Sequence, residues 1–151
     1  MTEAPRLRRA SFADLTPFEV YGLLRLRVDV FVVEQECPYP ELDGRDVEPA
    51  TQHLWFETDG PQGPEILATI RLLDDGGSRA IGRVATAADA RGQGLAARLI
   101  DEGIALSAGL PITLGAQAHL ESWYERFGFR RSGPGYVEDG IPHVPMRREA
   151  P

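Results

Sequence analysis

Cysteine is nearly absent: Cys37 is the one thiol in 151 residues. A single cysteine excludes an internal disulfide and a cysteine-rich metal site, and no metal is expected. The chain also lacks an apolar run of 18 residues and a charged-then-apolar leader. Neither a membrane span nor a signal peptide is therefore expected, and a cytoplasmic location follows by default. Positive charge is scarce: 16 Lys and Arg stand against 23 Asp and Glu, a net charge of −7. Non-specific nucleic-acid binding draws its affinity from Lys and Arg on phosphates, so this balance argues against it. An acidic surface suits a cationic partner better. There is no repeat and no low-complexity tract. What is present is a globular mixture, 42% hydrophobic and 26% charged. Residues 1–151 make one ordinary domain, long enough to bury a core without cross-links.

Residues 7–13 read as a short strand. Thr16-Pro17-Phe18-Glu19 is a helix start: Thr16 caps, Pro17 suits the first helical position and Glu19 completes the capping box. Leu15 and Val20 are placed for a hydrophobic staple. Val20, Leu24, Val28 and Phe31 continue at helical spacing, which predicts a helix to Val32. Residues 34–51 are irregular. Residues 53–58 and 65–73 read as strands around a turn at Asp59-Gly60-Pro61, and Asp74-Asp75-Gly76-Gly77 turns into a strand over 79–86. A helix over 92–108 follows, stopped by Gly109 and Pro111. Then come a short buried strand over 112–116 and a compact helix with Leu120, Trp123, Tyr124 and Phe127 on one face, ended by Gly128. The tail adds two strands, near 129–132 and 143–147. The order β-α-β-β-β-α-β-α-β indicates a mixed α/β domain. Its middle strands form an antiparallel meander, and the strand-helix-strand unit over 79–116 is parallel and right-handed.

The stretch ARGQGLAARL, residues 90–99, sets Gly92, Gly94 and Ala97 at G-x-G-x-x-G/A spacing ahead of an apolar-periodic segment. At a helix mouth, unpaired N–H groups and the positive end of the dipole face outward. Glycines leave those amides bare to a pyrophosphate, and Arg91 and Arg98 add positive charge. Taken alone, the turn is equally an ordinary glycine-flanked helix start. A P-loop would need Gly-x4-Gly-Lys-Ser/Thr, which does not occur. A dinucleotide site expects an acid about 20 residues on, at the end of the next strand, where this chain has Ala116-Gln117.

Arg91-Gly92-Gln93-Gly94-Leu95-Ala96 resembles the Q/R-x-x-G-x-G/A signature of the GCN5-related N-acetyltransferase (GNAT) superfamily, with alanine in the last place. WYERFGF, residues 123–129, resembles that superfamily's second motif, at fitting spacing. LRLRVDVFVVEQECPYPELDGRD, AQAHLESWYERFGF and EDGIPHVPM resemble its ElaA-like branch, so the likeness runs from about residue 7 to 147. It implies an α/β single-domain fold. The mixed, mostly antiparallel sheet would splay at the fourth strand, with helices on both faces. It also implies acetyl-CoA as co-substrate. The pantetheine arm would lie against the backbone of Val84, Ala85 and Thr86, and the pyrophosphate against Arg91, Gly92, Gln93, Gly94, Leu95, Ala96 and Ala97. A backbone N–H near Ala85 would steady the developing oxyanion.

The implied reaction is direct attack of a primary amine on the thioester in a ternary complex. No covalent nucleophile is needed, and Cys37 reads as a small buried or loop thiol. Tyr124 matches the tyrosine that protonates the departing thiolate. A phenol has a pKa of about 10 and a thiol about 8.5, so geometry and burial must assist the transfer. The other reading of Tyr124 is a core aromatic on the stripe with Leu120 and Phe127. Gln117 stands where many members carry asparagine, and no role is carried over to it.

A protonated amine cannot attack, so a base or a water path is required. Glu34, Glu48, His53 and His119 are the candidates, and spacing does not choose among them. His53 opens an apolar strand and reads equally as a packed or capping histidine. Residues 34–48 hold six acids, Glu34, Glu36, Glu41, Asp43, Asp46 and Glu48, against Arg45. The resemblance places this segment on the acceptor side. There it would attract a cationic small-molecule or peptide amine, or else form a solvated acidic loop. The Gly-Ile-Pro-His turn of EDGIPHVPM shapes the acceptor pocket from the other side, with His143 read as a structural hydrogen-bonding group. Exposed edge strands leave room for a homodimer. The competing function is a non-catalytic acyl-CoA-binding or sensing domain.

Overall fold

Continuous buried runs, residues 53–57 and 68–73, build the centre of the first half of the sheet. The computed structural model describes residues 4–150; residues 1–3 and 151, the ends of the predicted domain, lie outside the described residues. Strands β1 (Arg6–Ala10), β2 (Gln52–Gly60), β3 (Gly63–Asp74) and β4 (Arg79–Thr86) pair antiparallel in that order. Successive side chains of a strand point to opposite faces. β2 sends Leu54 and Phe56 to one face and Trp55 to the other, and all three are fully buried. Helix α1 (Pro17–Val28) covers the Trp55 face with Leu23 and Leu26. Helix α2 (Leu95–Leu106) covers the opposite face with Leu95, Leu99 and Ile100. The sheet is thus flanked on both sides.

The capping box forms as the sequence predicts. The Thr16 hydroxyl accepts from the Glu19 N–H at 3.1 Å, and the Glu19 carboxylate accepts from the Thr16 N–H at 2.9 Å. The helix is predicted to end at Val32. Instead, α-helical pitch stops at Val28, and Asp29–Glu34 continue as a wider π-helical turn. The apolar periodicity persists through both, so pattern alone does not register the change of pitch.

Other boundaries shift. β1 ends at Ala10, and Phe12–Asp14 form a 3-10 turn in place of the rest of the predicted strand. The β2–β3 hairpin closes on the Gly60–Gly63 pair, so its turn is Pro61-Gln62. After α2 come β5 (Ile112–Gln117), a 3-10 turn (Ala118–Leu120) and α3 (Glu121–Glu125). The tail holds three strands rather than two: β6 (Arg130–Arg131), β7 (Tyr136–Glu138) and β8 (Ile141–Arg148). β7 and β8 form a hairpin whose turn residues, Asp139 and Gly140, both have positive φ, 51° and 78°. Asp-Gly is a strong short hairpin signal for this reason.

The sheet order is β1-β2-β3-β4-β5-β8-β6, with β7 beside β8. The parallel contact of β4 with β5 consists of two residue pairs, Arg79–Ile112 and Ala80–Thr113, after which the strands diverge. The register of β4 on β3 slips just beyond this point, and Arg83 there takes φ 52°, a strained value for a side-chain-bearing residue. The splay expected at the fourth strand is therefore present. Among the described residues no helix is long and apolar enough to cross a membrane.

Candidate functional site

Where β4 and β5 part, the sheet opens into a cleft of about 810 Å³. Val84, Ala85 and Thr86 line one wall, and Leu114, Gly115 and Gln117 of β5 line the other. Beyond Ala80, β4 has no ladder partner on its β5 side. Its main-chain donors and acceptors on that side are available to an extended ligand, as in strand addition.

The mouth of α2 opens at one end of this cleft. Gly92 and Gly94 have φ 82° and 73°, and a Cβ at either would meet nothing within 4 Å. Backbone conformation, rather than crowding, is what calls for glycine there. The first bond of the helix runs from the Arg98 N–H to the Gly94 carbonyl at 3.1 Å. No side chain caps the end and no acid lies in the first turn, so the Leu95, Ala96 and Ala97 amides are left with the positive end of the dipole. Gly92, Gln93 and Gly94 are exposed, Ala96 and Ala97 are half-buried, and Leu95 sends its side chain into the core.

Arg91 reaches across the mouth. Its Nη2 donates to Glu34 Oε1 at 2.7 Å and its Nε to the Thr86 carbonyl at 3.3 Å. The hydrogen bond from Arg91 is the main cause of a lowered Glu34 pKa. Arg98, in the first turn of α2, holds its guanidinium over the Phe56 ring, 4.5 Å from the centroid.

Tyr124 comes to the cleft from α3. It is 6% exposed and packed edge-to-face against Trp123 and Phe129, at 4.8 and 6.2 Å between ring centroids. Its hydroxyl makes no hydrogen bond among the described residues. Burial pushes the phenol up to about 12, so Tyr124 is a neutral hydrogen-bond donor at physiological pH. Dryness makes it a weaker acid than in water, and it raises the proton affinity of a buried thiolate by the same cause. Gln117 also lines the cleft, donating from its amide to Gln35 Oε1 at 3.3 Å. Cys37 is buried, and its Sγ donates to the Asp139 carbonyl at 3.1 Å.

The acidic segment behaves differently from its sequence reading. Arg27, 2% exposed, donates to Glu41 at 2.7 Å and, through both terminal nitrogens, to Asp46 at 2.7 and 3.1 Å. Arg71 grips Asp43 at 2.9 and 2.6 Å and reaches Asp46 at 3.2 Å. Arg83 donates to Glu41 at 2.8 Å. The chain has no lysine, and its 16 Lys and Arg positions are all arginine, the side chain whose planar fork suits such two-point pairing. Hydrogen bonds from Arg71 hold Asp43 far below the usual carboxylate range. Burial alone would raise Asp46, but the bonds and charges of Arg27 and Arg71 outweigh it and lower it. Glu41, Asp43 and Asp46 are thus already neutralised and tie the segment to the sheet; they are not a free cation trap.

Two base candidates also fall outside the cleft. Glu48 pairs with Arg45 at 3.0 Å on the surface. His53 is buried beneath the acidic segment, its Nε2 3.0 Å from the Asp46 carbonyl, and burial lowers its pKa so that it stays neutral. Glu34 and the exposed His119 do line the cleft. So do residues that sequence reasoning did not place in a catalytic role: Tyr39, Arg83, Glu138, Asp139 and His143. The sequence reading that set the turn of EDGIPHVPM beside the acceptor pocket pointed to the last three of these.

A family model described as an acetyltransferase (GNAT) domain matches residues 29–150. A UPF0039 protein of Mycobacterium tuberculosis is 50% identical over 152 residues, covering 98% of this chain and 94% of its own length. Protein ElaA of Escherichia coli K12 is 38% identical over 144 residues, covering 91% of this chain and 92% of its own. Among solved structures, an acyl-CoA N-acyltransferase from Pseudomonas aeruginosa is similar with a TM-score of 0.89 at 44% identity, over 96% of this chain and 99% of that one. The structure of Escherichia coli ElaA is similar with a TM-score of 0.88 at 35% identity, over 97% and 100%. With sheet, cleft and sequence in agreement over nearly its whole length, the chain belongs to the GNAT acetyltransferase family, in its ElaA-like branch.

Proposed function

We propose that the protein is an N-acetyltransferase that moves the acetyl group of acetyl-CoA to a primary amine by direct attack in a ternary complex. One observation carries the reading. The unpaired edge of β4 and the uncapped mouth of α2 meet in a single cleft with the free hydroxyl of Tyr124. These are the contacts a coenzyme A thioester calls for: main-chain pairing for an amide-bearing arm, bare amides for a diphosphate, and a proton donor where the sulfur departs.

In this reading the backbone of Val84, Ala85 and Thr86 holds the arm, and a main-chain N–H near Ala85 faces the carbonyl oxygen as charge develops. The segment from Arg91 to Ala97 holds the diphosphate, with Arg91 turning to it from Glu34. The bound coenzyme supplies an activated acyl group. Juxtaposing the two reactants supplies much of the rate, and Tyr124 gives its proton to the sulfur. The acceptor, a small-molecule or peptide amine, approaches from the side of the β7–β8 hairpin, where Glu138 and Asp139 are exposed.

The test is release of free thiol from acetyl-CoA across polyamines, amino acids, aminoglycosides and peptides, beside thermal-shift titration with acetyl-CoA and with NAD. Turnover with at least one amine, and stabilisation by acetyl-CoA but not NAD, is the expected result. Stabilisation by acetyl-CoA without thiol release from any amine would replace catalysis with acyl-CoA sensing.

A further inference from the structure

The reaction needs a group to take a proton from the incoming ammonium, and the cleft holds a histidine built for it. His143 stands on β8, opposite Gln117 of β5, and lines the same cleft as Tyr124. Its ring is fixed at two points. Nδ1 lies 2.7 Å from the Ile141 carbonyl oxygen. That oxygen can only accept, so Nδ1 carries the proton, and in the neutral ring the lone pair belongs to Nε2. One ring face stacks on Tyr136, with centroids 5.5 Å apart and planes 17° off parallel. Tyr136 in turn sits over Gly115, where any Cβ would run into its hydroxyl oxygen. A glycine on β5, a tyrosine on β7 and a histidine on β8 thus form one stack beside the cleft. Among the described residues no hydrogen bond uses Nε2.

We propose that His143 is the general base of the reaction, accepting the ammonium proton at Nε2; this rests on the N-acetyltransferase reading above. Its ring lies on Tyr136 of β7. The cleft it lines also carries the carboxylates Glu34, Asp43, Glu138 and Asp139, the cations Arg83 of β4 and Arg91, and the titratable Cys37, Tyr39, His119 and Tyr124. β5 contributes none that titrates. Glu138 and Asp139 make no ion pair among the described residues and favour a cation at this end. His119 is exposed, and no hydrogen bond fixes its tautomer.

The balance is simple. One proton passes from the ammonium to Nε2 and on to solvent. The freed lone pair forms the C–N bond, the C–S bond breaks, and the sulfur leaves with its electron pair and takes the Tyr124 proton. The second proton shed by nitrogen restores Tyr124. The sum is one amide, one free thiol and one proton released.

The experiment compares wild type with His143→Gln on two acceptors. One is an alkylamine of pKa about 10, protonated at neutral pH; the other is an arylamine that arrives unprotonated. For the alkylamine, kcat/KM of the variant is expected to fall on the order of 100-fold, and the acidic limb of the pH profile is expected to vanish. For the arylamine the loss is expected to stay under about tenfold. Added imidazole should restore part of the alkylamine rate, and the acetyl-CoA Kd should not move. Equal losses for both amines, or a retained acidic limb, overturn the assignment and leave the N-acetyltransferase reading standing. A wild type that binds acetyl-CoA yet acetylates no amine overturns both. If the variant does not fold, ¹⁵N shifts of the wild-type ring decide: a proton on Nε2 with Nδ1 bare overturns the proposal.

Discussion

Tyr124 and Arg27 are both buried, and their surroundings set them apart. The Tyr124 ring is gripped by Trp123 and Phe129, while its hydroxyl makes no hydrogen bond among the described residues. Removing that oxygen keeps the packing, so Tyr124→Phe should lower kcat about 100-fold with little change in acetyl-CoA affinity. Steady-state kinetics beside calorimetric titration checks this, and unchanged turnover would remove the acid role. Arg27 instead has every arm of its guanidinium committed to Glu41 and Asp46. Asp46→Asn should cost about 1.5–3 kcal/mol, the worth of hydrogen bonds to a charged group, because Arg27 keeps Glu41 and Arg71 keeps Asp43 as partners; urea unfolding measures it. Asp46 titrates below its ordinary value. Its contribution is therefore full above the unfolded pKa of about 3.9 and is lost as pH falls through the lower folded value. The wild-type urea midpoint should decline below about pH 4, and Asp46→Asn should flatten that decline.

At the scale of elements, what was legible followed from neighbours close in sequence. The α1 start was readable in four residues, since a capping box needs nothing beyond them. Thr16→Ala should cost about 1 kcal/mol, or about 2–4 °C in Tm, without altering acetyl-CoA binding. The α2 mouth was readable from Gly92 and Gly94. Both take positive φ, 82° and 73°, and no side chain among the described residues crowds either position, which leaves the amides bare. Gly94→Ala should cost about 1–2 kcal/mol for the left-handed conformation and raise the acetyl-CoA Kd, whereas the same change outside the turn would not. Calorimetric titration separates the two. The π-helical turn over Asp29–Glu34 escaped the sequence because apolar periodicity tolerates it. It still matters, since it brings Glu34 and Gln35 to the cleft wall.

For the molecule as a whole, the decisive feature is a sheet that fails to close. Two residue pairs join β4 to β5, and beyond them the separation that makes the cleft also leaves, among the described residues, a stretch of β4 without a strand partner on that side. Filling that side should stabilise the fold. Acetyl-CoA at 100 times its Kd should add about 2.7 kcal/mol, several degrees in Tm, and Asp46→Asn should show the same increment from a lower base. A thermal shift of equal size with NAD would count against the cleft being shaped for an acyl-CoA.

The sequence by itself determined the local devices: the capping box, the glycine turn, the meander and the aromatic stripe of α3. These depend on periodicity or on residues within a few positions, where the backbone reads its own chemistry. Only the tertiary structure decided the electrostatics of the site. Asp46 meets Arg27 across 19 positions, Asp43 meets Arg71 across 28 and Glu41 meets Arg83 across 42, so three acids that read as part of a cation-attracting or solvated loop are paired with arginines and tie the segment to the sheet. The seat of the His143 ring was decided in the same way. It stacks on Tyr136 of the neighbouring strand, whose hydroxyl lies against Gly115 of β5, and contacts of that kind exist only once the strands are in place.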